Sequence, residues 1–351
     1  MKKDIKSMSD TELLEEIKSL SLPAFRAKQI YRALFVNLKT SFEEMTDLPK
    51  SLYPVLNEHF EIVRVKTLEK LVSKLDGTEK YLFSLRDGSV IESVLMRYEH
   101  GNSVCVSTQV GCRQGCAFCA STKNGFVRHL APSEILGQIE EITREHKDEK
   151  DFRVDNVVLM GIGEPLDNFD NVVKFLHLVN SENGLNIGYR HISLSTCGLV
   201  DKIDRLAEEN LPITLSISLH APNNEIRDSM MPVNKRYRIE ELLSACRRYQ
   251  DKTGRRISFE YALIDSVNDK KEHAEELARR LSGLLCHVNL IPVNPIREKN
   301  YKKSTKNSTI LFTNTLNNSK INATVRRRLG ADIDAACGQL RNKRMAEEQN
   351  L

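Results

Sequence analysis

Three cysteines stand within one short stretch, Cys112, Cys116 and Cys119 in VGCRQGCAFCAST, a C-x3-C-x2-C run directly behind the apolar segment VCVSTQV. A cubane of iron and sulfide normally takes one thiolate for every iron. Three cysteines with no fourth at matching spacing therefore imply an iron with an open position, and such an iron is a reaction site as well as an electron store. A structural zinc site needs four closed ligands, and the next candidate, His129, lies outside the usual finger spacings. Disulfides are disfavoured because MKKDIKSMSDTELLEEI has basic residues with no apolar stretch behind them, so no secretory leader is read. The expected compartment is the reducing cytosol. No apolar run reaches the ~18 residues of a membrane-crossing helix, so no span is expected.

The chain has 351 residues, 40% of them hydrophobic, enough for one large α/β domain with a smaller module beside it. Lys+Arg at 52 against Asp+Glu at 48 leaves a net charge of only +4, which does not by itself announce a polyanionic partner. Local clusters are more suggestive: Arg326, Arg327 and Arg328 are consecutive, Lys302, Lys303 and Lys306 crowd a polar stretch, and Arg247/Arg248 and Arg255/Arg256 flank one turn. Each could equally be a solvated face.

From residue 104 onward, short β-branched runs alternate with amphipathic helical stretches. Strands are expected at 104–110, 154–160, 190–196, 211–219, 256–263 and 285–291, with helices such as PSEILGQIEEITREH and IEELLSACRRYQ between them. Six strand-helix repeats with crossovers of this length predict a parallel sheet curling into a partial barrel, with reactive residues at the strands' carboxyl ends. The first hundred residues read as a small accessory α+β module. In SLPAFRAKQIYRALF, Ala27, Ile30, Tyr31 and Leu34 share an apolar helical face while Lys28 and Arg32 share a basic one. A second helix is expected around 41–60, then a hairpin turning at Asp87-Gly88. The stretch 297–309 reads as a mobile loop. These features divide the chain into an accessory module over 1–97, a core barrel over 98–300 and a C-terminal extension over 301–351.

Several motifs fall at the expected strand ends. In MGIGEPL, Gly161 and Gly163 permit close backbone approach and Glu164 offers a carboxylate to an amine. Leu166 stands where a dinucleotide fingerprint would have its third glycine, so that fingerprint is not matched. Ser195 closes the third strand, Ser218 and His220 close the fourth, and Asn294 closes the sixth. Singly, such residues are usually caps or satisfied core groups; at equivalent ends of successive strands they describe a ring of polar groups round one pocket. Cys197, Cys246 and Cys286 read as small buried hydrophobes. Cys337 differs, because Ala335, Ala336 and Gly338 leave it approachable by bulky reactants.

The blocks LPAFRAKQIY, VGCRQGCAFC, MGIGEPLDN, STCG, SLHAPNNEIRDSMMPVN, NLIPVNP and DIDAACGQL cover nearly the whole chain in order. On these residues the sequence resembles the RlmN/Cfr family of radical S-adenosylmethionine (SAM) methylases. The GEP turn and the IPVNP block favour the branch that methylates carbon 2 of adenine over the one that methylates carbon 8.

The resemblance implies a partial (β/α)6 radical SAM barrel, a 4Fe-4S cluster on Cys112, Cys116 and Cys119, and SAM contacts from Gly163, Glu164, Ser195, Ser218, Leu219, His220 and Asn294. It implies methylation of adenosine 2503 in 23S ribosomal RNA and adenosine 37 in transfer RNA, with an electron donor such as flavodoxin or ferredoxin; a monomer is the expectation for a protein that must enter folded RNA. Carbon 2 of adenine has no lone pair, so it cannot displace a methyl group from a sulfonium. The family solution is a relay. Cys337 takes a methyl group from one SAM molecule, and the 5′-deoxyadenosyl radical from a second converts that methyl to a methylene radical, which adds to the ring. Cys105 then frees the product by forming a disulfide with Cys337, and Glu92 accepts the ring proton. From spacing alone, a glutamate on an alternating strand such as VIESVLM is usually the solvent-facing residue. Two other classes share parts of the pattern: a radical activase of a protein substrate, which would not need Cys105 and Cys337, and a non-catalytic iron-sulfur RNA-binding protein.

Overall fold

The computed structural model describes residues 2–293, 301–327 and 329–333. A two-residue strand, β1 (Lys3–Asp4), pairs in parallel with β2 (Phe60–Glu61). Between them lie helices α1 (Asp10–Ser19), α2 (Phe25–Phe35) and α3 (Tyr53–His59). Ser9 and Glu12 start α1 with a reciprocal capping box. Helix α2 buries Ala27, Ile30, Tyr31 and Leu34 and leaves Lys28 and Arg32 exposed, as its periodicity predicts. The single helix expected around 41–60 does not form: residues 42–44 and 50–52 make 3-10 turns, and the α-helix begins at Tyr53. Pro49 has an extended ψ of 135° and no N–H, so it interrupts a continuous helix, whereas Pro54 sits harmlessly in the first turn of α3.

Strands β3 (Lys66–Val72), β4 (Glu79–Ser84), β5 (Val90–Tyr98) and β6 (Gly101–Cys105) form an antiparallel meander that includes the Asp87-Gly88 hairpin. β7 (Gln109–Gly111) and β8 (Phe126–His129) make a separate ribbon whose two strands bracket the cysteine loop. Strand and helix then alternate through α4 (Pro132–Glu145), β9 (Val154–Leu159), α5 (Phe169–Asn180), β10 (Ile192–Thr196), α6 (Val200–Glu208) and β11 (Thr214–Ser218). The series ends with α7 (Asn224–Met230), α8 (Ile239–Thr253), β12 (Ile257–Leu263), α9 (Lys271–Leu281), β13 (Cys286–Pro292), α10 (Lys306–Asn318) and β14 (Ala323–Val325).

One ten-stranded sheet takes the order β14-β13-β12-β11-β10-β9-β6-β5-β4-β3. Every neighbouring pair from β6 to β14 is parallel. Because strand order follows chain order, the sheet winds in one direction, as a barrel wall does. The six expected strands are β6 and β9 to β13, with β6 stopping at Cys105 instead of running to residue 110. Strands β3 and β14 are additions. Of the stretch read as a mobile loop, 297–300 lies outside the described residues, and Lys306 already opens α10 behind the Thr305 cap.

Strand alternation divides the parallel sheet by polarity. Leu194, Leu215 and Ile217 join the apolar core with α5, α6 and α8. On the other face Ser193 Oγ meets Ser216 Oγ at 3.0 Å, and Ser195 Oγ meets Ser218 Oγ at 3.4 Å. The inner wall is therefore polar.

The N-terminal helices are fastened to this barrel by one buried ion pair. Lys6 and Glu140 of α4 are 2% and 4% exposed. The ammonium donates to both Glu140 carboxylate oxygens and to the Leu34 carbonyl at 3.3 Å, and lies 5.0 Å from the centre of the Phe35 ring. Removing one partner leaves the other charge buried and uncompensated. Lys6→Met should cost about 3–5 kcal/mol in urea unfolding, and pairing it with Glu140→Leu should recover most of that loss. An equal or larger loss in the double variant would show that the charges themselves, rather than the filled space, hold the docking.

Candidate active site

A cavity of about 390 Å³ opens at the carboxyl ends of the parallel strands. Its wall takes Cys105 from β6, Gly163 and Glu164 from the turn after β9, Ser195 from β10, Ser218 and His220 from the end of β11, and all three thiols of the cysteine loop. Nine of the residues expected at the site are thereby brought together. Asn294 and Cys337 lie outside the described residues.

The cysteine loop has little regular structure and takes its shape from its surroundings. The Cys112 amide donates to Gly125 O at 3.0 Å, and the Ala117 amide donates to Met230 O at the end of α7 at 2.8 Å. Phe118 sets its ring edge-on to His220, with centroids 4.6 Å apart. Burial pushes the Cys112 thiol up to about 12, helped by the negative charge of Glu164. The Cys116 thiol is raised as well, first by burial and then by the Cys119 and Cys112 sulfurs. Two neighbouring thiols that disfavour ionisation, Cys112 and Cys116, suit a site where a polycationic centre supplies the compensating charge. Among the described residues no trio of His, Cys, Asp or Glu is disposed to hold a single metal ion. A cubane binds each thiolate through a separate iron, so it does not require the three sulfurs to converge on one point.

The glycine turn is defined by what surrounds it. A Cβ on Gly161 would lie 2.6 Å from Val106 O, and one on Gly163, whose φ is +111°, would lie 2.6 Å from Gln109 Cβ. This closeness lets Gln109 Oε1 accept from the Glu164 amide at 2.9 Å, while its Nε2 donates to Asp167 at 2.8 Å. The Glu164 carboxylate is buried and accepts from the amides of Leu166 at 3.0 Å and Cys197 at 2.7 Å. Burial raises its pKa against the lowering effect of those amides.

His220 has a left-handed backbone with φ +56°, a region histidine adopts more readily than most residues. Asn268 Nδ2 donates to the His220 carbonyl at 2.8 Å and holds that conformation. The His220 Nδ1 accepts from the Ala262 amide at 2.9 Å, so the neutral ring carries its proton on Nε2. Burial drives its pKa down to about 3, with the Arg227 charge adding to the effect. Leu219 is buried, with its amide donating to Glu260 O at 3.1 Å and its carbonyl accepting from Arg227 Nε at 3.2 Å.

Cys105 is 6% exposed and packs with Val94, Met96 and Leu329. Glu92 lies on the β5 face that carries Val94 and Met96, both in the cavity wall. It is only 3% exposed, not solvent-facing, and its carboxylate lies 3.2 Å from the ammonium of fully buried Lys80. Cys197, read as a buried hydrophobe, also lies in the cavity wall. Sequence reasoning passed over Gln109, Arg227, Glu260 and Asn268. A charged residue such as Arg227 inside a block otherwise quoted for its pattern was the available signal. Of the basic clusters, Arg326 and Arg327 border the cavity, whereas Arg248 is taken up by Asp204 at 2.7 Å.

The neutral imidazole generates a pH dependence. Below the ordinary histidine pKa of ~6.5 the unfolded chain binds a proton that folded His220 refuses until about 3. Stability should therefore fall as pH drops through that window. In His220→Asn, which tolerates positive φ and offers an oxygen to the Ala262 amide, that part of the fall should vanish. Urea midpoints for both proteins across the range check it.

The family model described as the radical SAM superfamily matches residues 106–281. The model for the ribosomal RNA large subunit methyltransferase N-terminal domain matches residues 3–62. Among curated proteins, the chain is 53% identical over 352 residues to a probable dual-specificity RNA methyltransferase RlmN of Lachnoclostridium phytofermentans, covering 99% of this chain and 98% of the relative. It is 54% identical to the protein of that name from Clostridium tetani, covering 91% of this chain and 90% of the relative. A crystal structure of a radical SAM methyltransferase from Sphaerobacter thermophilus superposes with a TM-score of 0.92 at 42% identity, over 96% of this chain and 98% of that one. With a shared fold, near-complete coverage and its cysteine loop inside the matched core, the chain belongs to the RlmN family of the radical SAM superfamily.

Proposed function

We propose that this protein is an RNA methyltransferase that places a methyl group on carbon 2 of adenosine, at adenosine 2503 of 23S ribosomal RNA and adenosine 37 of transfer RNA. The observation that carries the reading is the shared cavity: the three thiols of the cysteine loop, the strand-end groups of β9 to β11 and Cys105 all face one space. Cys112, Cys116 and Cys119 hold a 4Fe-4S cluster in this reading, and Gly163, Glu164, Ser195, Ser218, Leu219, His220 and Asn294 receive SAM. When bound, the cluster and SAM supply an electron, a methyl group and a carbon radical.

Cys337 is the thiolate that accepts and carries the methyl group. The chain leading to it supports this assignment. Leu329 packs in the cluster of side chains around Cys105. The Gly330 amide donates to Asp76 at 2.9 Å, and Asp332 accepts from Ser73 Oγ at 2.6 Å and the Lys74 amide at 2.9 Å. The C-terminal segment is thus tied to the β3-β4 turn across the cavity from β14. Cys337 follows Ile333 by four residues, a reach of at most ~14 Å. Cys105 resolves the RNA adduct by attacking the Cys337 sulfur, and Glu92, held by Lys80, takes the proton from the ring. Arg326 and Arg327 at the rim suit the phosphates of an RNA strand that presents an adenine to the cavity.

Reconstituted enzyme given SAM, a reductant and either RNA should yield 2-methyladenosine on digestion of the product. The appearance of 8-methyladenosine instead would transfer the protein to carbon 8 chemistry. Cys105→Ala should accumulate a covalent RNA-protein species on a denaturing gel, and Cys337→Ala should give neither adduct nor product. Normal turnover by Cys105→Ala, with no such species, removes it from the resolving role. Arg327→Gln should weaken RNA binding and lower the slope of log affinity against log salt by ~0.7–0.9, the share of one phosphate contact. S-methylation of Cys337, read by mass spectrometry, should continue in that variant.

A further inference from the structure

Arg227 is completely buried, and the acceptors around its guanidinium are all neutral. Nε donates to Leu219 O at 3.2 Å, Nη1 to Asn234 Oδ1 at 3.0 Å, and Nη2 to Cys197 O at 2.6 Å and Ser218 O at 3.4 Å. A permanent charge taken out of water is costly unless an anion compensates it. Asp228, the next residue, binds Arg238 at 2.8 Å and accepts from Asn234 Nδ2 at 2.7 Å, so its carboxylate reaches the guanidinium only through Asn234. The hydrogen bonds satisfy the guanidinium's directional donors and leave its net charge in place.

The location of that charge indicates the anion. The carbonyls it grips end β10 and β11, where Cys197 and Ser218 line the cavity. The helix that bears it, α7, also accepts the Ala117 amide at Met230 O at 2.8 Å, so the same element braces the cysteine loop between Cys116 and Phe118. Met231, directly after α7, is in the cavity wall. An oxidised cubane core bound by three thiolates carries one net negative charge, and one more after it accepts an electron.

We propose that Arg227 is the built-in counter-charge of the cluster, a positioning residue that favours the reduced cluster electrostatically while its fork holds the ends of β10 and β11 around the SAM pocket. The proposal rests on the reading of Cys112, Cys116 and Cys119 as ligands of a 4Fe-4S cluster. A fixed positive charge in a low-dielectric wall stabilises the more negative, reduced state more than the oxidised one, so it raises the reduction potential and eases the electron transfer that starts the reaction.

The test separates charge from grip. Arg227→Gln keeps a donor for the carbonyls and loses the charge; Arg227→Lys keeps the charge and loses the fork. Each full-length protein is reconstituted anaerobically, assayed for iron and sulfide, and titrated by spin resonance for its midpoint potential without SAM or RNA. The Gln variant should fall by 59 mV or more, a tenfold change in the oxidised-to-reduced ratio for a one-electron couple, and the Lys variant should stay near the wild type. Equal potentials in the Gln variant and the wild type overturn the proposal. Should the Gln variant not retain iron, the apoproteins decide: iron held by the Lys variant alone, with both apoproteins melting together, supports the counter-charge. Loss of iron from both variants overturns it. A wild-type protein that takes up zinc and no iron-sulfur cluster defeats the underlying reading itself.

Discussion

The buried carboxylate of Glu164 is the junction from which the site is built. Its two oxygens take the amides of Leu166 and Cys197, and its own amide is taken by Gln109, so one residue ties the turn after β9 to the end of β10 and to the ribbon before the cysteine loop. Backbone amides satisfy a carboxylate without adding a second charge that must also be desolvated. The junction closes only because Gly161 and Gly163 let the turn lie against Val106 and Gln109 with no room for a Cβ. Three strand ends are thereby held in fixed relation, and the polar groups projecting from them share one cavity.

This junction also explains which parts of the chain were legible in its sequence. The alternation of β-branched runs and amphipathic helices is local information, and it placed β9 to β13 within a few residues and caught only the end of β6. The glycines, Glu164 and the three cysteines were legible because each sits in a short motif whose meaning does not depend on distant segments. The helix expected around 41–60 failed because apolar spacing alone does not register the break at Pro49. β3 was missed because Leu68, Leu71 and Val72 in KTLEKLV are spaced as on a helix, and only pairing with β4 makes the segment a strand. β14 has three residues, too few for a periodicity to declare itself.

The residues missed at the site share a different physical character. Gln109, Arg227 and Asn268 act on backbone carbonyls and amides contributed by other strands, and no spacing within their own segments records those partners. Glu92 was underrated for a related reason. Alternation assigned it to one face of β5, but only the fold shows that this face is covered and that Lys80, on the adjacent strand, is buried with it. A buried ion pair across two strands is invisible in either strand alone, because each member reads as an ordinary solvent-facing charge.

The polar inner wall and the apolar outer one impose opposite demands on rigidity. The barrel wall is held by packing, with the aliphatic side chains of β10 and β11 buried in the apolar core, so the strand ends have little freedom. The C-terminal segment is attached differently, by Leu329 against the Cys105 cluster and by hydrogen bonds from Ser73, Lys74 and Gly330 to two aspartates. Hydrogen bonds between groups that water can also satisfy give little net stabilisation each. That weakness suits the relay proposed above. In the function proposed above, a thiol that meets a methyl donor, then an adenine, then Cys105 could not be fixed to one position, yet a fully unattached tail would spend most of its time elsewhere. Fastening the chain at Leu329, Gly330 and Asp332, a few residues before Cys337, limits how far that thiol can lie from the cavity, so the rigid site and the fastened segment would be complementary requirements of the proposed chemistry.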